Sequence, residues 1–477
     1  MAAHAMRSTA CLRLPIALMD DLRAHLFRPD ADEHGAVIGA SAFESKRGLR
    51  LLGRRLFLAH DETDYVPGER GYRMLTPEFV RHCVRACSEE GLAYLAVHNH
   101  PGTDSVAFSG DDLASHRRGY PALLDILDGP PAGALVFADN AIAGDIWLSA
   151  ERQIELDHAV VTNRTTRVLR SAPRRPSAED ARYDRQVRLF GTRGQEILAG
   201  RKVGIVGAGG VGSLINEYLS RLGVGHLVVI DDDRIEESNA SRLVGARTTD
   251  WQSRWLPTSL ARRIGWRPTL KVHIAERVAR AAKPGIHFEA IGADIEDPVA
   301  AECLLDCDAI FLAADTMRAR HVVNAICHRY LIPVWQAGTK VQTDTTKGTV
   351  HDVFSVVRHL VPGQSCLWCS DLIDRTRLAE EAATPEQRAV QTYIEEVPAP
   401  SVITLNAVAA AHAVNDYLFT TLGLTEHDTR AEWVRHHPLI GYWAREKTKT
   451  ESECRQCGTF LAAGPLEPLP IRESSRP

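Results

Sequence analysis

The sequence predicts two successive α/β domains, the second built on a doubly wound parallel sheet, and three observations carry that reading. Residues 201–233, RKVGIVGAGGVGSLINEYLSRLGVGHLVVIDDD, read as strand, glycine-rich turn, helix and strand, with Val211, Leu214, Ile215, Tyr218, Leu219 and Leu222 at helical spacing. Apolar strands follow at 309–313 and 333–335, alternating with helical stretches, the pattern of a parallel sheet covered on both faces. Residues 164–178, RTTRVLRSAPRRPSA, hold five Arg and two Pro without apolar periodicity and separate this region from an N-terminal one with short apolar runs at 36–38, 95–97 and 134–137. The expected organisation is a first domain at 13–155, a linker at 156–178, a second domain at 179–463 and a loose tail at 464–477.

Length and composition agree. A chain of 477 residues exceeds one ordinary core. Apolar residues at 44% and charged residues at 25% exclude a rod, a collagen-like repeat and long disorder. Fifty-six Lys and Arg against 61 Asp and Glu leave a net charge of −5, which gives no support to nucleic-acid binding. No apolar run approaches the roughly 18 residues of a membrane span. The opening stretch MAAHAMRSTACLRLPIALMDDLRAHL is broken by Arg and Asp, unlike a secretory signal. Four of the ten Cys lie in CxxC pairs, which fits thiols and metal ligands better than a secreted disulfide framework. The expectation is a soluble cytoplasmic protein.

Within the first domain, residues 98–112 read HNHPGTDSVAFSGDD. His98 and His100 are two apart, so in an extended segment both imidazoles face one way. Pro101 stops a helix there, and Asp112 falls near the start of the next helical stretch. Two imidazoles and one carboxylate make three protein ligands for zinc, leaving a fourth position open as catalytic sites require. Ser109, three residues before Asp112, is placed to donate to a developing oxyanion. Glu33, ahead of the run Ala36–Gly39, is the candidate carboxylate for proton transfer. A bare His-x-His pair is commonly a surface feature of a strand. His-x-His-Pro, seven residues, then Ser-x-x-Asp with an upstream Glu is more demanding, and over residues 13–150 it resembles the JAMM (MPN/JAB) metallopeptidases. The resemblance implies zinc on His98, His100 and Asp112, Glu33 as general acid/base, Ser109 steadying the tetrahedral intermediate, and cleavage after the C-terminal glycine of a ubiquitin-like protein. Asn99 stands where many relatives carry Ser or Thr and is not expected to be a ligand.

In the second domain, Gly207, Gly209 and Gly212 form a GxGxxG that follows an apolar strand and opens a helix, where backbone N–H groups meet phosphates. Alone it suits a dinucleotide-dependent dehydrogenase equally well, as does Asp231 at the end of the next strand. Asp233, Asn239 and Arg242 beyond that strand, with Lys271 opening KVHIAERVARAA, point instead to a triphosphate whose charge needs neutralising. Asp315, after AIFLAA, is placed to hold magnesium at the carboxyl edge of the sheet. With RYDRQVRLFG at 182–191, these residues resemble the ubiquitin-activating superfamily of ThiF/MoeB-like adenylyltransferases, with a Rossmann-like fold, over residues 179–463. The resemblance implies that Asp233 and Asn239 contact the nucleoside side, that Arg242 and Lys271 bind phosphates, and that Asp315 coordinates Mg²⁺. Arg320 matches a family position, and Arg185 reaches the phosphates, usually from the partner subunit of a homodimer.

Cys366-Leu-Trp-Cys369 and Cys454-Arg-Gln-Cys457 each suit a redox pair, but together they suit one closed tetrahedral zinc that staples distant segments. The resembled family carries such a four-cysteine zinc. Two departures stand out. No Cys lies between Cys369 and Cys454, where many relatives place a nucleophilic thiol; Thr392, Tyr393, Ser401 and Thr404 are the hydroxyls there, leaving direct transfer or an oxyester. Cys303, Cys307 and Cys327 lie in apolar contexts and are expected to be core. The 244–270 stretch is long and carries Trp251, Trp255 and Trp266 among several Arg, fitting either a clamp or an added helical hairpin.

The function expected is a two-headed enzyme of a ubiquitin-like protein pathway, most plausibly bacterial. ATP and Mg²⁺ adenylate the C-terminal glycine, and a zinc site trims or removes the same protein. Its partners are that ubiquitin-like protein, a conjugating enzyme and a second copy of the chain. The alternatives are a sulfur-carrier pathway yielding a thiocarboxylate, and a non-catalytic scaffold.

Overall fold

A computed structural model describes residues 9–30, 32–67, 73–173, 180–255, 257–344, 349–383, 400–425 and 432–472. The chain divides into two units. The first is Met1–Arg175 with Arg329–Leu331 and Phe460–Pro468; the second is Pro176–His328, Ile332–Thr459 and Leu469–Pro477.

The first unit holds β1 (Ala10–Pro15), β2 (Gly35–Ser45), β3 (Gly48–Leu58), β4 (Ala93–Asn99), β5 (Ala132–Phe137), β6 (Ile142–Ser149), β7 (Arg152–Thr162) and β8 (Arg167–Leu169) in the order 1-3-2-4-5-6-7-8. An additional β1–β7 pairing closes the sheet on itself. One face buries Leu12, Leu14, Ile38, Leu51, Leu95 and Phe137, and the other buries Val37, Tyr94 and Trp147 against helices Pro77–Glu90 and Gly110–Leu127. Thr76 caps the first of these helices, with Pro77 at its first position, and Gly91 ends it in the left-handed region.

Two boundaries differ from expectation. The end of β7 and all of β8 fall inside the stretch read as a linker, because Ile154, Leu156, Ala159 and Val161 alternate into the core while the arginines that disguised the pattern flank it. The stretch at 464 is not a loose tail either. Phe460–Pro468 belongs to the first unit, where Ser41 Oγ donates to Ala462 O at 2.8 Å and Arg54 Nη1 to Leu461 O at 2.8 Å. Backbone carbonyls made these contacts, and they leave no mark in composition.

The second unit holds β9 (Lys202–Val206), β10 (His226–Ile230), β11 (His287–Ile291), β12 (Ala309–Leu312), β13 (Val334–Asp344), β14 (Thr349–Leu360), β15 (Glu432–His437) and β16 (Tyr442–Lys447). Their order is 11-10-9-12-13-14-15-16, parallel from β11 to β13 and antiparallel thereafter. The strand order reverses between β9 and β12, so the loops leaving their carboxyl ends form the crevice where doubly wound sheets take ligands. Helices Gly210–Leu222, Lys271–Ala282 and Ile403–Leu422 pack on the sheet around Ile205, Val229, Phe311 and Trp335. Cys307 and Cys327 are fully buried and Cys303 nearly so.

Candidate functional site

In the first unit, β4 carries His98 at its end and His100 just beyond, and the helix Gly110–Leu127 carries Asp112 in its first turn. Ser109 is that helix's N-cap. Its hydroxyl donates to Asp112 Oδ2 at 2.7 Å and accepts from Asp112 N at 3.1 Å, while Ser109 N–H donates to the same carboxylate at 2.8 Å. Ligand atoms of His98, His100 and Asp112 lie within 4.8 Å of one another. His98 Nε2 is 3.7 Å from Asp112 Oδ1, and His100 Nε2 is 3.5 Å from Asp112 Oδ2 and 3.6 Å from Glu33 Oε1. His100 Nδ1 meets Ala107 O at 3.1 Å, which turns Nε2 toward the cluster. His98 Nε2 is buried with no hydrogen-bond partner among the described residues, an orphaned nitrogen aimed where a cation would sit. This donor set fits zinc with an open fourth position.

Burial pushes the Glu33 carboxyl above its ordinary range, outweighing the pull of His98 and His100. Burial opposes the Asp112 carboxylate as well, but the nearby His98 imidazole and the hydrogen bonds from Ser109 win and hold it well below its ordinary range. Ser109 is thus an orienting cap for Asp112, and donating to an oxyanion requires its proton to leave that carboxylate. Asn99, set aside in the sequence, has a part: its Oδ1 accepts from His34 N–H at 2.7 Å and ties the segment bearing Glu33 to the strand bearing the histidines. That tie joins residues 65 apart, beyond any local motif. A groove of about 970 Å³ leads away from His100 between Phe108, Leu113 and Arg117 on one side and Asp145 and Glu155 on the other.

In the second unit the glycine loop leaves β9. Gly207 has φ +94°, and a Cβ on it would lie 2.7 Å from Ala314 N in the loop after β12. A Cβ on Gly212 would lie 1.8 Å from Gly207 O, whereas one on Gly209 would meet nothing within 4 Å. Space is therefore kept at Gly209, the N-cap of helix Gly210–Leu222, where a phosphate would find free N–H groups. Asp231 accepts from Ala208 N–H at 2.6 Å with one oxygen, bracing the glycine loop, and from Asp233 N–H at 2.9 Å with the other, beyond β10; burial pushes its carboxyl up. Lys271 pairs with Asp233, and Arg242 Nη1 donates to Ser238 O at 2.8 Å. Asn239 Oδ1 accepts from Glu236 N–H at 3.2 Å. Asp315 is exposed in the loop after β12. Arg320 lies on helix Met317–Arg329 and donates to Leu372 O at 3.0 Å, turned partly away from the loop. Arg185 is exposed on helix Asp184–Ala199.

Cys366, Cys369, Cys454 and Cys457 present their sulfurs within 4.8 Å of one another, three of them buried. Cys369 Sγ is 3.6 Å from Cys457 Sγ, and Asn324 Nδ2 donates to Cys366 Sγ at 3.6 Å while its Oδ1 accepts from Leu367 N–H at 2.9 Å. The hydrogen bond from Cys457 pulls the Cys366 thiol down, while burial and then Cys366 push Cys369 up. Four thiols so close fit a closed tetrahedral zinc, since a dication would let all of them ionise.

The remaining candidates divide. Ser401 Oγ accepts from Asn406 Nδ2 at 3.0 Å, and Asn406 lies against Gly210. Thr404 is exposed, and Thr392 and Tyr393 lie outside the described residues. The 244–270 stretch forms short helices Thr248–Trp251 and Thr258–Arg263; Trp251 packs on Ile235, Leu243 and Ile274, and Trp255 is exposed beneath Arg254.

A parallel sheet with a glycine cradle at its switch point defines the doubly wound nucleotide-binding class. Residues 183–456 match the ThiF family, and the chain belongs to it. The match starts beyond His98, His100 and Asp112. The chain is 28% identical over 190 residues to the SAMP-activating enzyme E1 of Haloferax volcanii, covering 39% of this chain and 60% of that protein. It is 29% identical over 161 residues to the molybdopterin-synthase adenylyltransferase of Haemophilus influenzae (33% and 58%) and 33% identical over 145 residues to the sulfur carrier protein adenylyltransferase of Thermus thermophilus (30% and 48%). The matched region thus spans 60% or less of each relative. Escherichia coli MccB is 20% identical with a TM-score of 0.45, over 59% of this chain and 75% of that one.

Proposed function

We propose that the second unit adenylates the C-terminal glycine carboxylate of a ubiquitin-like protein with ATP and Mg²⁺, and that the first unit is a JAMM-type zinc peptidase acting on the same chain end. Membership of the ThiF family, with space kept at Gly209 beside a helix N-terminus, is the observation that carries the first half. Gly207 to Gly212 would seat the phosphates, Arg242 and Lys271 would neutralise them once Lys271 leaves Asp233, and Asp315 would hold the magnesium. Arg185, exposed on its helix, would be supplied by a second copy of the chain, as in the family it resembles.

The orphaned His98 nitrogen beside His100 and Asp112 carries the second half. Zinc there would supply Lewis acidity to the scissile carbonyl. Glu33, whose carboxyl burial has pushed up, would take a proton during attack and give it to the leaving amine. Ser109 would hold Asp112 in its ligating orientation. The two reactions fit one chain because the carboxylate released by cleavage is the group adenylation consumes.

A sulfur-carrier substrate is the second reading, favoured by two observations. No Cys lies between Cys369 and Cys454 to take a thioester, and two relatives are named for sulfur-carrier and molybdopterin-synthase activation. The test of the main reading is ATP–pyrophosphate exchange with a ubiquitin-like protein ending in glycine, with and without its free carboxylate. Exchange that is indifferent to that carboxylate, or hydride transfer to a nicotinamide cofactor, would overturn it.

A further inference from the structure

Away from both candidate sites, β1, β3 and β7 bring a thiol, an imidazole and two guanidiniums to one face of the first sheet. Cys11 is in register with Arg50 on β3 and with His158 on β7, so the three side chains stand in a row; Arg13 follows on the same face two residues along. Cys11 Sγ is 3.3 Å from His158 Nε2, His158 Nδ1 is 2.6 Å from Asp157 Oδ2, and Arg170 Nη1 donates to that oxygen at 2.8 Å. The order is nucleophile, base and orienting carboxylate.

The charges around the sulfur point the same way. Arg13 and Arg50 are each 4% exposed, and Arg50 Nε is buried with no hydrogen-bond partner among the described residues. Arg13 Nη1 donates to Tyr330 O at 2.8 Å and Arg50 Nη1 to Leu49 O at 3.4 Å, and a nearby anion would compensate the charge these carbonyls leave. Arg50 faces Cys11 across the strand pair, where a thiolate would supply it. Burial alone would raise the thiol, but His158, Arg50 and Arg13 reverse it and bring Cys11 to about 7. Burial likewise opposes the imidazolium, yet Cys11 and Asp157 hold His158 above its ordinary range. Cys83 and Cys87, in the apolar core of the same unit, are pushed up to about 12.

We propose that Cys11 is a thiolate nucleophile paired with His158 and reactive toward small electrophiles of the hydroperoxide class. Cys11 is 4% exposed, too enclosed for a polypeptide tail, while the His158 side chain is 15% exposed and opens one flank of the pair to solvent. The thiolate attacks one peroxide oxygen, forming an S–O bond as the O–O bond breaks. The leaving hydroxide takes the proton of the His158 imidazolium and departs as water. Sulfur is oxidised by two electrons to the sulfenic acid, peroxide is reduced, and neutral His158 remains.

The full-length protein would be treated with hydrogen peroxide in the presence of dimedone and its peptides mapped by mass. Cys11 should be labelled at least tenfold faster than Cys83 or Cys87, and His158→Gln should slow Cys11 at least tenfold. The unmodified chain supplies a check that needs no variant. Iodoacetamide should alkylate Cys11 at pH 7 at about half its pH 9 rate, where an ordinary thiol near 8.5 keeps only about 4%. A Cys11 that resists both reagents in the folded protein, or whose alkylation at pH 7 is only about 4% of its pH 9 rate, overturns the proposal. A thiol-labile conjugate of a carrier protein on Cys11 overturns the restriction to small electrophiles.

Discussion

Two of the metal-competent clusters among the described residues differ in what surrounds them. Around Cys366, Cys369, Cys454 and Cys457 every donor is a thiol, three of the four are buried, and the thiols hydrogen-bond to one another and to Asn324 and His328. Around His98, His100 and Asp112 all three donors are partly exposed, a carboxyl pushed up by burial lies 3.6 Å from one imidazole, and a groove of about 970 Å³ opens beside it. The first set closes a metal off from everything but protein. On the proposed reading the second leaves a face open and puts a proton carrier next to it, which would separate a staple from a reactive centre.

The sharpest break between them is structural. Cys454→Ser should remove one zinc and cost the second unit about 5 kcal/mol or more, because a metal there would join two CxxC pairs separated by 84 residues. His98→Ala should also remove one zinc yet leave the thermal unfolding of both units within a few degrees. Zinc counting by atomic emission and differential scanning calorimetry on both variants check this. Equal destabilisation by the two would erase the distinction between staple and reactive centre.

The next largest effect belongs to the open cluster alone. Glu33→Gln should retain zinc in full and lower cleavage of a ubiquitin-like fusion by about 10²–10⁴-fold, the usual scale for losing a general acid/base. Loss of the metal with the activity would make Glu33 a ligand, and near-normal cleavage would remove it from the reaction.

A third comparison sits within the glycine loop. Gly212→Ala places a Cβ 1.8 Å from Gly207 O, so it should destabilise the second unit by about 3 kcal/mol as strand and helix are forced apart. Gly209→Ala meets no protein atom within 4 Å and should leave stability unchanged while weakening ATP binding at least tenfold. Calorimetry and nucleotide titration on the pair check it, and similar behaviour of both variants would mean that the open space at Gly209 is not where phosphate lies.

These sites were legible to different depths for physical reasons. The His-x-His and CxxC spacings are set by the reach of neighbouring ligands along a strand or turn, so local sequence displays them. The doubly wound sheet was equally plain, since each strand and helix prints its own period. What stayed hidden was long-range: Asn99 holding the Glu33 segment, Asp231 bracing the glycine loop through Ala208, and β7 behind a run of arginines. Cys11 and His158, 147 residues apart, meet only because β1 and β7 close the first sheet. No spacing rule could have joined them.

The smallest effect is expected at the segment where many relatives carry a thiol. Ser401 Oγ accepts from Asn406 Nδ2 at 3.0 Å, and Asn406 Oδ1 in turn accepts from Thr339 Oγ1 at 2.8 Å while its amide lies against Gly210. The hydroxyl is therefore near the glycine loop, but its neighbour is an amide donor, and no base hydrogen-bonds to it among the described residues. Without one an unactivated hydroxyl is a poor nucleophile, whereas an acyl adenylate is reactive enough to pass directly to an incoming acceptor. Ser401→Ala loses one neutral hydrogen bond, about 1 kcal/mol, and should leave pyrophosphate exchange within twofold of the unmodified chain. Any adduct between enzyme and carrier should be absent both with and without dithiothreitol. A hydroxylamine-sensitive adduct that disappears in Ser401→Ala would establish the oxyester, and a thiol-labile one on Cys303, Cys307 or Cys327 would show that a thiol buried in the core is exposed during turnover.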